Sequence, residues 1–249
     1  MKIIANSNIP NSAINKLNKY GEVLPLETTG ITYSAISGHP DVFFCLTDNQ
    51  LIVAPNTPKY FKEKLHSNNV LCVEGQVDVG NSYPETATYN AVITPKFLIH
   101  NLKITDNSIR EACIDKTAIH VNQAYTRCNL LPLKNNNFIT SDKGIYSALT
   151  AYNLNVLYVN PKSILLPGFK NGFFGGACGT YKDQFFVIGS LASFMESEKV
   201  RILLHDLGYQ IVELYDGQLY DGGSLVFIDR LFHDLPESEA RSPGRVNYQ

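Results

Sequence analysis

The sequence predicts an α/β protein made of five ββαβ units set in a ring. Three observations predict it. Strand, turn, strand, helix and strand follow one another in that order four times along the chain. Part of the sequence repeats directly at a shift of 35 residues, so that Leu130, Leu131, Pro132, Asn136, Phe138 and Gly144 fall on Leu165, Leu166, Pro167, Asn171, Phe173 and Gly179. The two ends also complete one another, because the last strand-like run has no helix after it and the first one does.

The elements follow from periodicity and turn signals. VFFCL at 42–46, the turn TDNQ and LIVAP at 51–55 read as a hairpin, followed by the amphipathic KYFKEKLHSNN and the strand VLCVEG. YNAVI and FLIHNL form the next hairpin, with NSIREACID as helix and TAIHVN as strand. CNLLPL and FITS lead to DKGIYSALTAYN and NVLYVN. SILLP, the glycine-rich GFKNGFFGGACG and QFFVIGSL lead to FMESEKVRILLHDLG and YQIVEL. KIIANS, NSAINKLNKYG and EVLPLE supply most of a fifth unit, and GGSLVFI at 222–228 supplies its missing strand. Joining the ends leaves fewer unpaired strand edges than an open array. We therefore expect one domain over 1–232 and a flexible polar tail over 233–249.

Bulk composition narrows the function. Of 249 residues 44% are hydrophobic, enough for a large core, and a net charge of −2 without long runs of like charge argues against nucleic-acid or membrane-surface binding. The start MKIIANSNIPNS lacks the apolar stretch of a secretory signal, and no apolar run approaches a membrane span. Cys45, Cys72, Cys113, Cys128 and Cys178 are dispersed and odd in number, which fits a reducing cytoplasm. No HxH, HExxH or CxxC spacing predicts a metal site, and no cofactor signature is present.

Ring architectures bring strand ends to a central channel, which singles out three stretches at strand starts. They are Gly38-His39-Pro40-Asp41, Thr126-Arg127-Cys128-Asn129 and Asp221-Gly222-Gly223-Ser224. Together a His-x-Asp entering an aromatic strand, an acid before Gly-Gly and a lone cysteine on another unit resemble the pentein fold of guanidino-group modifying enzymes. That superfamily includes arginine and agmatine deiminases, dimethylarginine hydrolases and amidinotransferases. The whole chain also resembles an uncharacterised bacterial family of this fold. In familiar members an acid-Gly-Gly unit precedes the His-x-Asp unit, then come an intervening unit and the cysteine unit. Here Asp221-Gly222-Gly223 precedes His39-Pro40-Asp41 only across the joined ends, so the cyclic order matches while the linear order is permuted. Aspartate also stands where glutamate is usual.

The resemblance implies a cysteine-dependent hydrolase of a small guanidino or amidino compound, with Cys128 as the covalent thiouronium carrier and His39 as the proton donor and then the base. Asp41 and Asp221 would grip the guanidinium N–H groups, and Arg127 would add positive influence beside the thiol. Gly175, Gly176, Cys178 and Asp142 are further channel candidates, with Cys178 the second choice of nucleophile. A poised Cys128 thiol should react with iodoacetamide well below about pH 8.5. Each residue also has a purely structural role open to it: His39 before proline begins a strand, Cys128 is a buried thiol, Asp221 builds a tight turn, and Asp142 caps a helix. The other functional readings are a non-catalytic binding ring, as in the ribosome anti-association factor, and an aromatic-rich interaction scaffold. Transfer to a second amine is the less favoured reaction, and exposed outer helices leave a homodimer open.

Overall fold

The computed structural model describes residues 1–229, so the proposed tail over 233–249 lies outside the described residues. Fifteen strands form five three-stranded sheets. Strands β1 (Lys2–Asn6) and β2 (Glu22–Leu26) join β15 (Val226–Ile228) in one sheet. The second sheet holds β3 (Phe44–Leu46), β4 (Leu51–Val53) and β5 (Cys72–Glu74), and the third β6 (Val92–Ile93), β7 (Phe97–His100) and β8 (Thr117–His120). The fourth has β9 (Leu130–Leu133), β10 (Asn137–Thr140) and β11 (Asn155–Tyr158), and the fifth β12 (Cys178–Tyr181), β13 (Gln184–Val187) and β14 (Gln210–Glu213).

Every sheet has one pattern: the middle strand pairs antiparallel with one neighbour and parallel with the strand reached through a helix. The parallel pairing requires a crossover, and the helices supply it. They are α1 (Asn11–Leu17), α3 (Lys59–Ser67), α4 (Asn107–Ala112), α6 (Lys143–Ala151) and α7 (Ser197–Asp206). Four of them bury an i,i+4 apolar pair on one face: Ala13 and Leu17, Phe61 and Leu65, Ile145 and Leu149, Val200 and Leu204. Three helices are terminated alike, by a residue in the left-handed region shortly after the last turn: Asn69 (φ 56°), Asn153 (φ 57°) and Gly208 (φ 69°). Among the described residues no helix is long and apolar enough to cross a membrane.

The fourth predicted unit needs correction. SILLP is not its first strand: Leu165 makes only an isolated bridge to Tyr220, and the hairpin forms instead between β12 and β13. The internal repeat at 35 residues is therefore not the structural register. First strands begin at Phe44, Val92, Leu130, Cys178 and Val226, and three of the four intervals are 48 residues. Leu-Leu-Pro recurs because it suits extended segments generally, not because the two copies occupy equivalent places.

A buried histidine on the third sheet gives the fold a pH dependence. His100 on β7 is fully buried, with Nδ1 2.8 Å from the Thr105 hydroxyl and Nε2 3.0 Å from the Ala124 carbonyl. Burial pushes its pKa down from 6.5 to about 4. The unfolded chain thus binds a proton that the folded one refuses, and stability is complete above pH 6.5 and lost as pH falls toward 4. Urea unfolding at pH 5 should show about 2 kcal/mol less stability from this group than at pH 7, a difference that His100→Gln removes.

Candidate active site

Before the first strand of most units the chain makes one helical turn. These turns are α2 (Pro40–Phe43), α5 (Thr126–Asn129) and the 3-10 segments Glu85–Ala87 and Gly175–Ala177. The sequence reading had the strand begin at Val42. Instead His39 stands at the N-cap with extended backbone, Pro40 occupies the first helical position where its missing N–H costs nothing, and the strand starts only at Phe44. The equivalent turn carries Cys128. Asn90, Cys128 and Ser224 each stand two residues before the first strand of their unit.

Hydrogen bonds pass from turn to turn. Asp41 N donates to Gly223 O, Asn90 Nδ2 to Asp41 O, Arg127 N to Asn90 O and Arg127 Nη1 to Gly175 O. Gly222 N and Ser224 N then donate to Gly176 O, which returns the series to the unit where it began. Glycine is required in two of these turns. A methyl on Gly223 (φ +73°) would lie 2.5 Å from His39 Cα, and one on Gly176 would lie 2.6 Å from Asp221 Cγ.

This network gathers His39, Asp41, Cys128 and Asp221, all nearly fully buried. Cys128 Sγ donates to Asp41 Oδ2 at 3.0 Å and accepts from Asn90 Nδ2 at 3.4 Å, while Cys128 N donates to Asn90 Oδ1 at 3.1 Å. The Ser224 hydroxyl donates to the same Asp41 oxygen. Asp221 accepts from Phe173 N at 2.8 Å and Gly223 N at 3.1 Å, and its Oδ1 is 4.0 Å from His39 Nδ1. Neither imidazole nitrogen of His39 has a hydrogen-bond partner among the described residues. Burial, then the Asp41 and Asp221 carboxylates, push the Cys128 thiol well above its ordinary pKa. Burial likewise raises Asp221, against the pull of His39.

His39, Cys128 and Asp221 line one cavity of about 110 Å³, closed by Tyr33, Ile36, Tyr125, Leu166, Phe169, Asn171 and Phe173. Asp41 touches Cys128 but does not line that cavity; it faces a second one, described below. Arg127 is also turned away, with Nη1 3.0 Å from Gly175 O and Nη2 3.3 Å from Cys178 O. Gly175 and Gly176 are packing positions: a methyl on Gly175 would lie 2.8 Å from Cys128 O. Cys178 is fully buried in the apolar core, lines neither cavity and is correspondingly displaced as a nucleophile. Asp142 takes its structural role, capping α6 by accepting from Ile145 N at 2.8 Å. Asn90 and Ser224 were missed by sequence reasoning; their common spacing from the first strand of each unit was the available signal.

The donor atoms of His39, Asp41 and Cys128 also lie within 4.8 Å of one another, a nitrogen, oxygen and sulfur set of the type that zinc accepts. No local motif announces it, because Cys128 comes from a different unit than His39 and Asp41.

The expectation of a reactive resting thiol is revised by these surroundings. With its pKa raised, Cys128 alkylation by iodoacetamide should stay slow near neutrality and accelerate only above about pH 9. Asp41→Asn removes one charge that raises it and should move the profile to lower pH, read as carboxamidomethyl incorporation at Cys128 by peptide mass.

The five three-stranded sheets have the pentein fold. Agmatine deiminase from C. jejuni superposes with a TM-score of 0.54 at 10% identity, over 89% of this chain and 81% of that one. SxtG, an amidinotransferase from the Microseira wollei saxitoxin biosynthetic pathway, superposes with a TM-score of 0.52 at 10% identity, over 85% and 87%. The chain belongs to a family described as being of unknown function, DUF6873, whose profile matches residues 4–226. No curated protein matches the sequence.

Proposed function

We propose that the protein is a cysteine-dependent hydrolase of a small guanidino or amidino compound. The observation that supports it best is one cavity shared by the Cys128 sulfur, the partner-free His39 imidazole and the Asp221 carboxylate. A guanidinium seated against Asp221 would bring positive charge beside Cys128 and lower the thiol pKa that Asp41 and Asp221 now raise. His39 takes the proton of the thiol, the thiolate bonds to the central carbon, and the amine leaves with that proton from His39. The resulting thiouronium is attacked by water, which gives a proton back to His39, and the C–S bond breaks to restore the thiolate. Ser224 and Asn90 hold Asp41 and Cys128 in place throughout.

The walls favour a substrate whose tail is uncharged or cationic, since no Lys or Arg lines this cavity to receive a carboxylate. The test is a panel of methylguanidine, butylguanidine, agmatine and arginine, followed by amine release and by intact mass after acid quenching. An adduct on Cys128 is expected, with the carboxylate-free compounds turned over at least about tenfold faster than arginine, a difference of about 1.4 kcal/mol. Absence of turnover and of adduct across the panel overturns the reading. The second reading, a binding protein, is favoured by the raised pKa of the resting thiol; it predicts saturable binding of a guanidine without any adduct.

A further inference from the structure

A second cavity, of about 290 Å³, lies beyond the inner turns from the Cys128 cavity. The two share no lining residue. In each unit the chain passes from the turn into its first strand, and the second cavity is lined along those strands, with residues from β3, β6, β9, β12 and β15. Nothing in the proposed hydrolysis uses it.

Its chemistry is mixed in a particular way. Arg127 opens on it, and the two carbonyls that Arg127 binds leave its other N–H groups without a protein acceptor. Among the described residues Arg127 has no carboxylate within 4.0 Å, and the carboxylate whose charge acts on it most is Asp41. Lys182, just after β12, adds a second cation to the wall, exposed and 3.5 Å from Asp229 Oδ2. On the opposing turn Asp41 contributes a carboxylate that is 2% exposed and whose Oδ1 has no hydrogen-bond partner. The remaining walls include Phe44, Leu46, Ile93 and Phe227. A buried acceptor without a partner and a guanidinium without a counter-charge are both unfavourable, so both groups call for a partner.

We propose that this cavity is a second ligand site and that it takes a small zwitterion of amino-acid type. The carboxylate meets Arg127 and Lys182, the ammonium meets Asp41 Oδ1, and a short apolar body packs on Phe44, Leu46 and Phe227. An anion alone would leave Asp41 unpaired, and a cation alone would leave Arg127 so. The two cavities share no lining residue, but Asp41 joins them, since its Oδ2 accepts from the Cys128 thiol.

Isothermal titration of the full chain with glycine, L-alanine and L-norvaline, against butyrate and butylamine as single-charge fragments, tests it. Norvaline is expected to bind at least about tenfold more tightly than either fragment. Thr180→Trp, which fills the cavity mouth, should abolish binding, whereas Leu166→Trp, which fills the Cys128 cavity, should leave it unchanged. Lys182→Met, at a surface position that does not threaten folding, should weaken norvaline about fivefold. The proposal fails if no zwitterion binds, if a fragment binds as tightly as norvaline, if Lys182→Met changes nothing, or if Leu166→Trp rather than Thr180→Trp removes binding.

Discussion

Cys128→Ser leaves a folded protein and lowers turnover of any guanidino compound that the native protein consumes by about 10⁴-fold or more. Serine keeps the size of the side chain and still offers an O–H to Asp41 Oδ2, in place of the present S–H donor. What it loses is nucleophilicity: a hydroxyl between two carboxylates has no base within reach strong enough to ionise it. Unfolding free energy should change by less than about 1 kcal/mol, because Cys128 is buried among partners that a hydroxyl also satisfies. The check is steady-state amine release by both proteins, with a thermal melt beside it. Residual activity within tenfold of the native rate removes Cys128 from the chemistry.

Gly223→Ala is the largest stability effect we expect, a loss of about 3 kcal/mol or more. Two causes add. The residue sits at φ +73°, and its new methyl would run into the His39 backbone and side chain, 2.5 Å from Cα. Because Asp41 N donates to Gly223 O, displacing this turn also moves the α2 turn that carries His39 and Asp41. Gly30→Ala is the control: it has a similar φ of +75° but nothing within 4 Å of the new methyl, so it should cost about 1 kcal/mol. Chemical denaturation of the two variants separates backbone strain from collision; equal losses would show that the contact with His39 is not what demands glycine.

The units were legible where hydrophobic periodicity spoke clearly. VFFCL with LIVAP, KYFKEKLHSNN and DKGIYSALTAYN correspond to β3 with β4, α3 and α6 because a buried middle strand and an i,i+4 pair each leave an unambiguous pattern. The fourth unit misled because Cys178-Gly179-Thr180-Tyr181 is short and follows a glycine-rich run that reads as a turn; its pairing with β13 makes it a strand. The grouping of His39, Asp41, Cys128 and Asp221 was legible only as a cyclic order. The orientation of Asp41 and Arg127 was not, since one residue along a helical turn rotates a side chain by about 100° and sends neighbours to opposite cavities. Asn90 escaped notice because YNAVI reads whole as a strand, whereas the strand begins only at Val92 and Asn90 ties Asp41 to Cys128 from the segment before it.

The sheet that unites β15 with β1 has a consequence for folding. Lys2 faces Ile228 across that pairing, so this one sheet joins segments that lie far apart along the chain. Asp221 and Ser224 sit just ahead of β15 and are brought in with it. Until β15 pairs, His39 and Cys128 lack the carboxylate opposite them, and the edge of β1 stands open to any passing strand. Such long-range closure is slow. A chain cut before Asp221 would carry the thiol without its counterpart, which confines any chemistry at this centre to polypeptides in which β15 has closed on β1.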